Sequence, residues 1–591
     1  MSYLQKESLR GRTAVPLLAQ GSAVSLITAF VILVTGAAAL WNYGSNNTLR
    51  LPAPIPSLDE AAGSENPDSG EELPAIRLAA GSFAAYDYEA AEAQLKEALV
   101  SAEADTKTKY PGAAAVRQRL GALCYETGRY PEAKEYLAAA KAEFSEAFGE
   151  DAPEVLLTNG QLALCSLCTG NESGGWEMLQ ALEPVAESAK SAADRMDACN
   201  LLARGCVLTA QTADAVKWYE KLLNTAKDTK REQQYLPDYQ KTFARLLLAD
   251  GQRERAAEFC RGLLGDEKTA GSAAQRTALQ LALAEAEAES GACAEALAAA
   301  EAAYREETHT KQEDAAFSVQ VAAVRTAAGD LSGAADAAKT ACEQAKGTEQ
   351  EAPCLEHLGK VLETAKQYDK ALAAYDSALT LYRKQASDAG IGSALTAVCR
   401  VSRIREDYAR SLEAGLEADK LLWNIYGKYT FRRIPLLSDM ALSYIAKHRF
   451  GAALKYCEAA LKIASRQKFE RKESVYAGLA AGRLRTIEQN GNSAVNYLSN
   501  AAEKLDASFG ELSTDAVKAQ LWLGDAYIVC RDYEQAAAAF DTAADRLERC
   551  GISAETVSEL RELRQAADGT EQFLAERREQ LRKILASWDG T

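Results

Sequence analysis

Histidine is scarce in this chain of 591 residues. There are three, His309, His357 and His448, and none stands in a His-Glu-x-x-His spacing, which removes the helical zinc-hydrolase pattern. A phosphate-binding glycine loop, a Gly-x-Ser-x-Gly elbow and a dinucleotide fingerprint are also missing, so no catalytic constellation is legible and no enzyme is expected. Aromatics are only 7% of the chain and prolines number 13, a balance that favours helix over sheet. Positive charge is short as well. Sixty-seven Lys and Arg face 84 Asp and Glu, a net charge of -17 with no long basic run, which argues against nucleic acid as a partner.

Cysteine is present but not organised. Thirteen residues, an odd count spread through helical segments, do not form a disulfide framework. Cys124, Cys206, Cys260 and Cys457 fall in apolar slots where they read as packing residues. Cys165 and Cys168 make a Cys-Ser-Leu-Cys step, but no second pair or neighbouring histidine completes a tetrahedral metal site. Neither a metal nor a cofactor is expected.

What the chain does have is a cadence. Two small residues twelve positions apart recur twelve times, from Ala79/Ala91 through Gly121/Ala133, Ala203/Ala215, Gly359/Ala371 and Cys399/Ser411 to Gly524/Ala536, and successive units start 37 to 42 residues apart. A period of this size signifies a stacked repeat array. The physical basis is close packing: a small residue on one helix lets a second helix approach, and a second small residue receives it. Around the pairs the apolar residues step by three and four, as in Leu358, Gly359, Leu362, then Tyr368, Ala371, Tyr375, Ala378, so each unit predicts a helical hairpin with its turn near residues 363–367 in this example.

These residues resemble the tetratricopeptide repeat family. The closest matches are Leu523-Gly524, Tyr527, Tyr533, Ala536, Phe540 and Ala543; Leu358-Gly359 with its partners; and Leu120-Gly121, Gly128, Tyr130, Ala133, Leu137 and Ala140. The unit at Cys399 departs from the pattern, with Ser411 where alanine is usual. Most intervals exceed the family's common 34 residues, and the stretch from Phe148-Gly149 to Val155, echoed by Tyr426-Gly427 and Phe509-Gly510, is similar to the inter-repeat loop of the longer variant found in kinesin light chains. The resemblance implies an all-α right-handed superhelix over residues 75–550, about twelve repeats, whose first helices line a concave groove.

The ends differ from the array. Residues 1–15 carry Lys6, Arg10 and Arg12, and residues 16–42 contain the apolar run from Ala23 to Trp41. At about 1.5 Å per residue, this run is long enough to cross a hydrocarbon core of about 30 Å. The positive-inside bias places the amino terminus in the cytoplasm and the repeats outside it, in a periplasm or at a cell surface. A cleaved signal peptide is the competing reading, since Gly36-Ala37-Ala38-Ala39 offers small residues for a peptidase. Residues 43–74, rich in proline, serine and acids, read as a flexible tether. Residues 551–591 read as capping helices that cover the last hydrophobic face.

The expected function is that of a membrane-anchored, extracytoplasmic scaffold for a protein or peptide partner. The alternative is a repeat protein that binds or regulates an envelope polymer such as a glycan, which the few aromatics at groove positions, Tyr125 and Tyr476 among them, disfavour. The candidate partner-binding residues are Asn200, Arg204, Lys241 and Arg245 from adjacent units, and Arg400, Arg403 and Arg483 further on. In the groove that the resemblance implies, they form a basic stripe suited to the carboxylates of an acidic segment. Solvated arginines paired with nearby acids are the plainer alternative.

Overall fold

The computed structural model describes residues 88–104, 112–228, 236–265, 271–288, 290–469, 471–550, 575–576 and 578–584. Its chain divides into two compact units, one of residues up to 165 with 176–329, the other of 166–175 with 330 onward. All regular structure among the described residues is α-helical. The expected segment 1–15, the anchor 16–42, the tether 43–74 and Ala79 of the first repeat lie outside the described residues. Within them, no helix is long and apolar enough to cross a membrane.

The first unit holds α1 (Tyr88–Ala104), α2 (Gly112–Glu126) and α3 (Tyr130–Phe148). There follow α4 (Pro153–Cys168), α5 (Glu172–Gln180) and α6 (Glu183–Ser188), of which α4 and α5 run across the unit boundary. Then come α7 (Ala192–Leu208), α8 (Thr212–Asp228), α9 (Leu236–Ala249), α10 (Arg253–Leu264), α11 (Ala273–Ala286), α12 (Cys293–Tyr304) and α13 (Lys311–Ala327). The second unit continues with α14 (Leu331–Gln344), α15 (Glu351–Thr364), α16 (Tyr368–Lys384), α17 (Asp388–Ile404) and α18 (Tyr408–Tyr426). It ends with α19 (Arg433–Ala446), α20 (Phe450–Ala464), α21 (Ser474–Ile487), α22 (Gly491–Phe509), α23 (Thr514–Cys530) and α24 (Tyr533–Arg549). Pro184 at the start of α6 stands where the second helix of the repeat that begins with α4 breaks in two.

The hairpin turns share one backbone device. Two residues before each second helix from α3 to α24 except α12, the chain enters the left-handed region, at Gly128, Gly170, Ala210, Gly251, Gly329, Lys366, Glu406, His448, Gln489 and Arg531, with φ between 56 and 81°. The next N–H reaches back to the helix, as Arg129 N does to Cys124 O at 2.8 Å and Asp407 N to Ser402 O at 2.9 Å, the bond that closes a Schellman cap. The aromatic-glycine loops recur in the same way. Gly149, Gly427 and Gly510 end α3, α18 and α22 with φ of 88, 82 and 84°.

The small pairs are buried wherever they are described, and the helices they join show how they work. A Cβ added to Gly121 would lie 2.5 Å from Leu137 Cγ, one on Gly359 2.7 Å from the Tyr375 ring, and one on Gly524 2.3 Å from the Phe540 ring. The first small residue therefore clears room chiefly for the side chain one turn beyond the second, a reciprocity of size the sequence reading did not include. Where the first member is glycine, that neighbour is Leu137, Tyr375, Leu498 or Phe540; where it is Ala244, Ala284 or Ala441, the neighbour is Cys260, Ala300 or Cys457. The unit at Cys399 inverts the arrangement. Its neighbour is Gly415, whose empty place is filled by Met440 from α19, and Cys399 Sγ lies 3.5 Å from Ser411 Oγ. Tyr219, opposite Ala203, and Leu179, opposite Ala163, depart from the trend.

Cys124, Cys206, Cys260 and Cys457 are buried, as packing residues should be. Desolvation pushes the Cys124 thiol up to about 11 and the other three up to about 12, so none is poised as a thiolate. Near the C-terminus, Leu581 and Ile584 bury against Val517, Leu521, Phe540 and Leu547 of α23 and α24.

One contact in the second unit joins residues almost 300 positions apart. The turn at residues 166–175 seats Glu172 in a buried cradle: its Oε2 accepts from Lys468 N at 2.6 Å and Phe469 N at 3.4 Å, and its Oε1 accepts from Arg471 Nε at 3.0 Å and from Arg471 Nη2. The Glu172 and Arg471 side chains are 3% and 1% exposed, and the guanidinium lies 3.9 Å from the Phe431 ring centroid. Beside the ion pair two backbones touch. A Cβ on Gly427 would fall 2.7 Å from Thr169 O, and one on Gly170 would fall 3.0 Å from the Tyr429 and Thr430 backbone. Glycine is required at both places by space and by a positive φ.

Candidate partner-binding face

The first helices of the second unit, α15, α17, α19, α21 and α23, carry charged residues on a common face. Arg400 of α17 grips Glu363 of α15 with Nε to Oε1 at 2.6 Å and Nη2 to Oε2 at 2.8 Å. Tyr375 Oη donates to the same carboxylate at 2.8 Å, which ties this face to the size rule at Gly359. Arg403 Nε donates to Asp439 Oδ1 of α19 at 2.6 Å. Tyr476 Oη of α21 donates to Asp515 Oδ2 of α23 at 3.2 Å. These groups converge: Arg403 on α17 and Asp515 on α23, three hairpins apart, are within mutual electrostatic reach, as are Arg400 and Tyr476.

Arg483 belongs to a separate group further along. Its Nη1 donates to Asp525 Oδ2 at 2.8 Å and its guanidinium lies 5.4 Å from the Trp522 ring centroid, while Arg582 reaches the same Asp525 oxygen at 3.0 Å.

Burial works against both charges of the Arg400–Glu363 pair, and their attraction prevails. Glu363 is held below the ordinary carboxylate range and Arg400 well above its ordinary value. Cys399, next to Arg400, is inert by comparison: desolvation pushes its thiol up to about 12.

In the first unit, Arg204 of α7 donates through Nη2 to Glu126 of α2, 78 residues away, and lies 5.1 Å from the Tyr125 ring centroid. Burial disfavours its charge, and Glu126 and Tyr125 more than offset this. Asn200, one turn earlier, is 6% exposed and its Oδ1 has no hydrogen-bond partner. Lys241 on α9 is 4% exposed. Arg245 is half-buried; desolvation lowers its affinity for the proton, opposed by Glu285 of α11.

The arrangement brings Arg400 and Arg403 into one cluster and leaves Arg483 in another. The sequence reading named these cations but missed the particular acids that complete them. The signal was available: Glu363–Arg400, Arg403–Asp439 and Arg483–Asp525 lie 37, 36 and 42 residues apart, one repeat each, so opposite charges at equal places in neighbouring units foretell the pairs. Chemically the face offers fixed charges and hydroxyls for polar recognition.

His357 on α15 provides a pH test. It is 5% exposed, neither ring nitrogen has a partner, and desolvation, with Lys360 adding, pushes it down to about 3. The unfolded chain therefore binds a proton below about pH 6.5 that the folded chain refuses, and stability falls as pH falls through that value. Chemical denaturation at pH 7 and pH 5 should show the wild type losing about 2 kcal/mol more than His357→Gln. Equal losses in the two proteins would contradict this.

No protein-family model matches the chain, and no curated protein does. Among solved structures, the apo form of RapI aligns at 13% identity and a TM-score of 0.41, covering 59% of this chain and 97% of its own. Yeast Tom70 aligns at 14% and 0.37, covering 86% and 96%. A Rap protein complexed with competence and sporulation factor aligns at 13% and 0.36, covering 67% and 99%. Likenesses this distant carry no functional argument, and the fold stands on the helix packing described above.

Proposed function

We propose that the chain is a non-enzymatic scaffold of tetratricopeptide-like repeats of the longer variant, built to hold a protein or peptide partner on its first-helix face. The observation that carries this reading is the convergence of Arg400, Arg403, Asp439, Tyr476 and Asp515 from four successive hairpins. Groups from one helix recognise a point; groups from four in register recognise an extended polypeptide. Asn200, Arg204, Lys241 and Arg245 are separate candidates in the first unit, the first three of them buried, and Arg483 is a separate candidate in the second. A glycan ligand is the less favoured reading, because the tyrosines on these faces are engaged: Tyr125 lies under Arg204 and Tyr476 is bonded to Asp515.

The proposed setting is a single-pass membrane protein with the repeats outside the cytoplasm, which rests on the apolar run from Ala23 to Trp41 and its flanking charges. A reporter active only in the cytoplasm, fused after Thr591, should be silent; strong activity would reject the topology. For the binding role, affinity capture from intact membranes followed by mass spectrometry should recover a polypeptide partner whose yield falls at least tenfold with Arg400→Gln and Arg403→Gln together. An unchanged yield from a variant with wild-type unfolding behaviour would reject the face as the binding surface.

A further inference from the structure

A second surface lies at one edge of the second unit, where the loops after α18, α20 and α22 meet. The sequence shows no long basic run, yet folding gathers one. Lys428, Arg466, Lys468 and Lys472 are all exposed, and two of the loops are stitched together by Gln467 Nε2 donating to Tyr429 O at 3.2 Å.

What distinguishes these four cations is how they are held. Some exposed cations elsewhere sit against acids, as Lys217 does on Asp214 and Arg383 on Glu417. Here, each lies near an aromatic ring instead. Lys428 Nζ is 5.3 Å from the Trp423 ring centroid and 5.6 Å from that of Tyr429; Arg466 is 4.0 Å from Tyr429, Lys468 5.7 Å from Phe469 and Lys472 5.9 Å from Phe509. None of the four has an ion pair among the described residues. A ring orders a cation without cancelling its charge, whereas a carboxylate does both. Among the described residues, the nearby acids are already committed: Glu172 to Arg471 and Asp419 to Arg433, while Glu473 is buried. The result is a concentrated, partly ordered positive patch on a chain of net charge -17.

We infer that this edge is a docking surface for an acidic polypeptide segment, distinct from the first-helix face. Two other polyanions fit less well. A bilayer would have to take up the exposed Trp423 and Phe509, but Lys428 and Arg433 lie against the indole and Lys472 against Phe509, so insertion would drag those charges into hydrocarbon. A nucleic acid would need ring faces for base stacking, and cations already lie over these rings. Carboxylates on a flexible chain need only the charges, and they gain charge-assisted hydrogen bonds from guanidinium and ammonium groups held nearby.

The test uses fluorescein-labelled deca-glutamate and the full chain in detergent, read by fluorescence anisotropy. Binding should weaken at least tenfold between 25 and 300 mM salt, as expected when exposed charges drive association. It should also fall at least tenfold with Lys428→Gln, Arg466→Gln, Lys468→Gln and Lys472→Gln combined. The three lysines changed to arginine should retain binding, and Arg400→Gln with Arg403→Gln should leave it unaltered, so failure here and failure of the first-helix face are separate outcomes. Undiminished binding by the quadruple variant would overturn the inference. So would tighter binding to phosphatidylglycerol vesicles or to deca-thymidylate that the same four substitutions abolish.

Discussion

Replacing Glu172 with alanine should lower the unfolding free energy of the second unit by about 3–5 kcal/mol, the usual cost of removing one partner of a buried ion pair. The reason is the state left behind: Arg471, 1% exposed at its side chain, would keep its charge with no carboxylate, and the N–H groups of Lys468 and Phe469 would lose their acceptor. Replacing both charges, as Glu172→Gln with Arg471→Met, should cost markedly less, because no orphaned ion remains. Denaturant titration of the two variants decides the matter, and equal losses would show that the pair is not the source of the stability. Hydrogen exchange should localise the Glu172→Ala effect to residues 166–175 and 465–475, where the long-range contact closes.

The second large effect concerns the small pairs. Gly359→Val should destabilise the α15/α16 hairpin by about 3 kcal/mol, since the first added carbon already falls 2.7 Å from a Tyr375 ring that is itself 2% exposed. The tyrosine cannot swing away without surrendering its hydrogen bond to Glu363. If size reciprocity is the rule, Tyr375→Ala placed in the same chain should recover more than half of the loss, a non-additive result that a thermal or urea melt would read directly. A double variant as unstable as the sum of its parts would refute the rule. Because Tyr375 also bonds the partner of Arg400, the Val substitution should weaken partner capture as well.

How much of this was legible beforehand depended on the range of the interaction. The hairpins were readable because their signal is local and repeated: Gly359 and Ala371, or Gly524 and Ala536, sit one hairpin apart and recur at a near-constant period. Reciprocity was harder to see, since it joins the first small residue to a side chain sixteen positions on, and Tyr375 reads equally well as generic core. Ion pairs one repeat apart, such as Arg403–Asp439, were in reach of a search for opposite charges at matching places. The Glu172–Arg471 cradle was not, because nothing in a turn at residue 172 announces a partner 299 positions later. The basic edge was hidden for a similar reason. Arg466, Lys468 and Lys472 stand within seven residues of one loop, but Lys428 belongs to another, and only the stacking of successive hairpins brings it beside them.

The sequence also leaned on arginine as the mark of a binding stripe, where the structure supplies complete pairs. That shifts the recognition problem from free positive charge to a charge-balanced face, and it makes the proposed acidic segment a better match for the edge at Lys428 and Arg466.

The account rests most heavily on the claim that a partner lies along the first helices. The most direct measurement places a photo-crosslinking amino acid singly at position 476, on the first-helix face, and at position 377, exposed on the second helix α16, and illuminates intact cells. The account predicts a polypeptide adduct at 476 and none at 377. An adduct of equal yield at both positions, or at 377 alone, would contradict it.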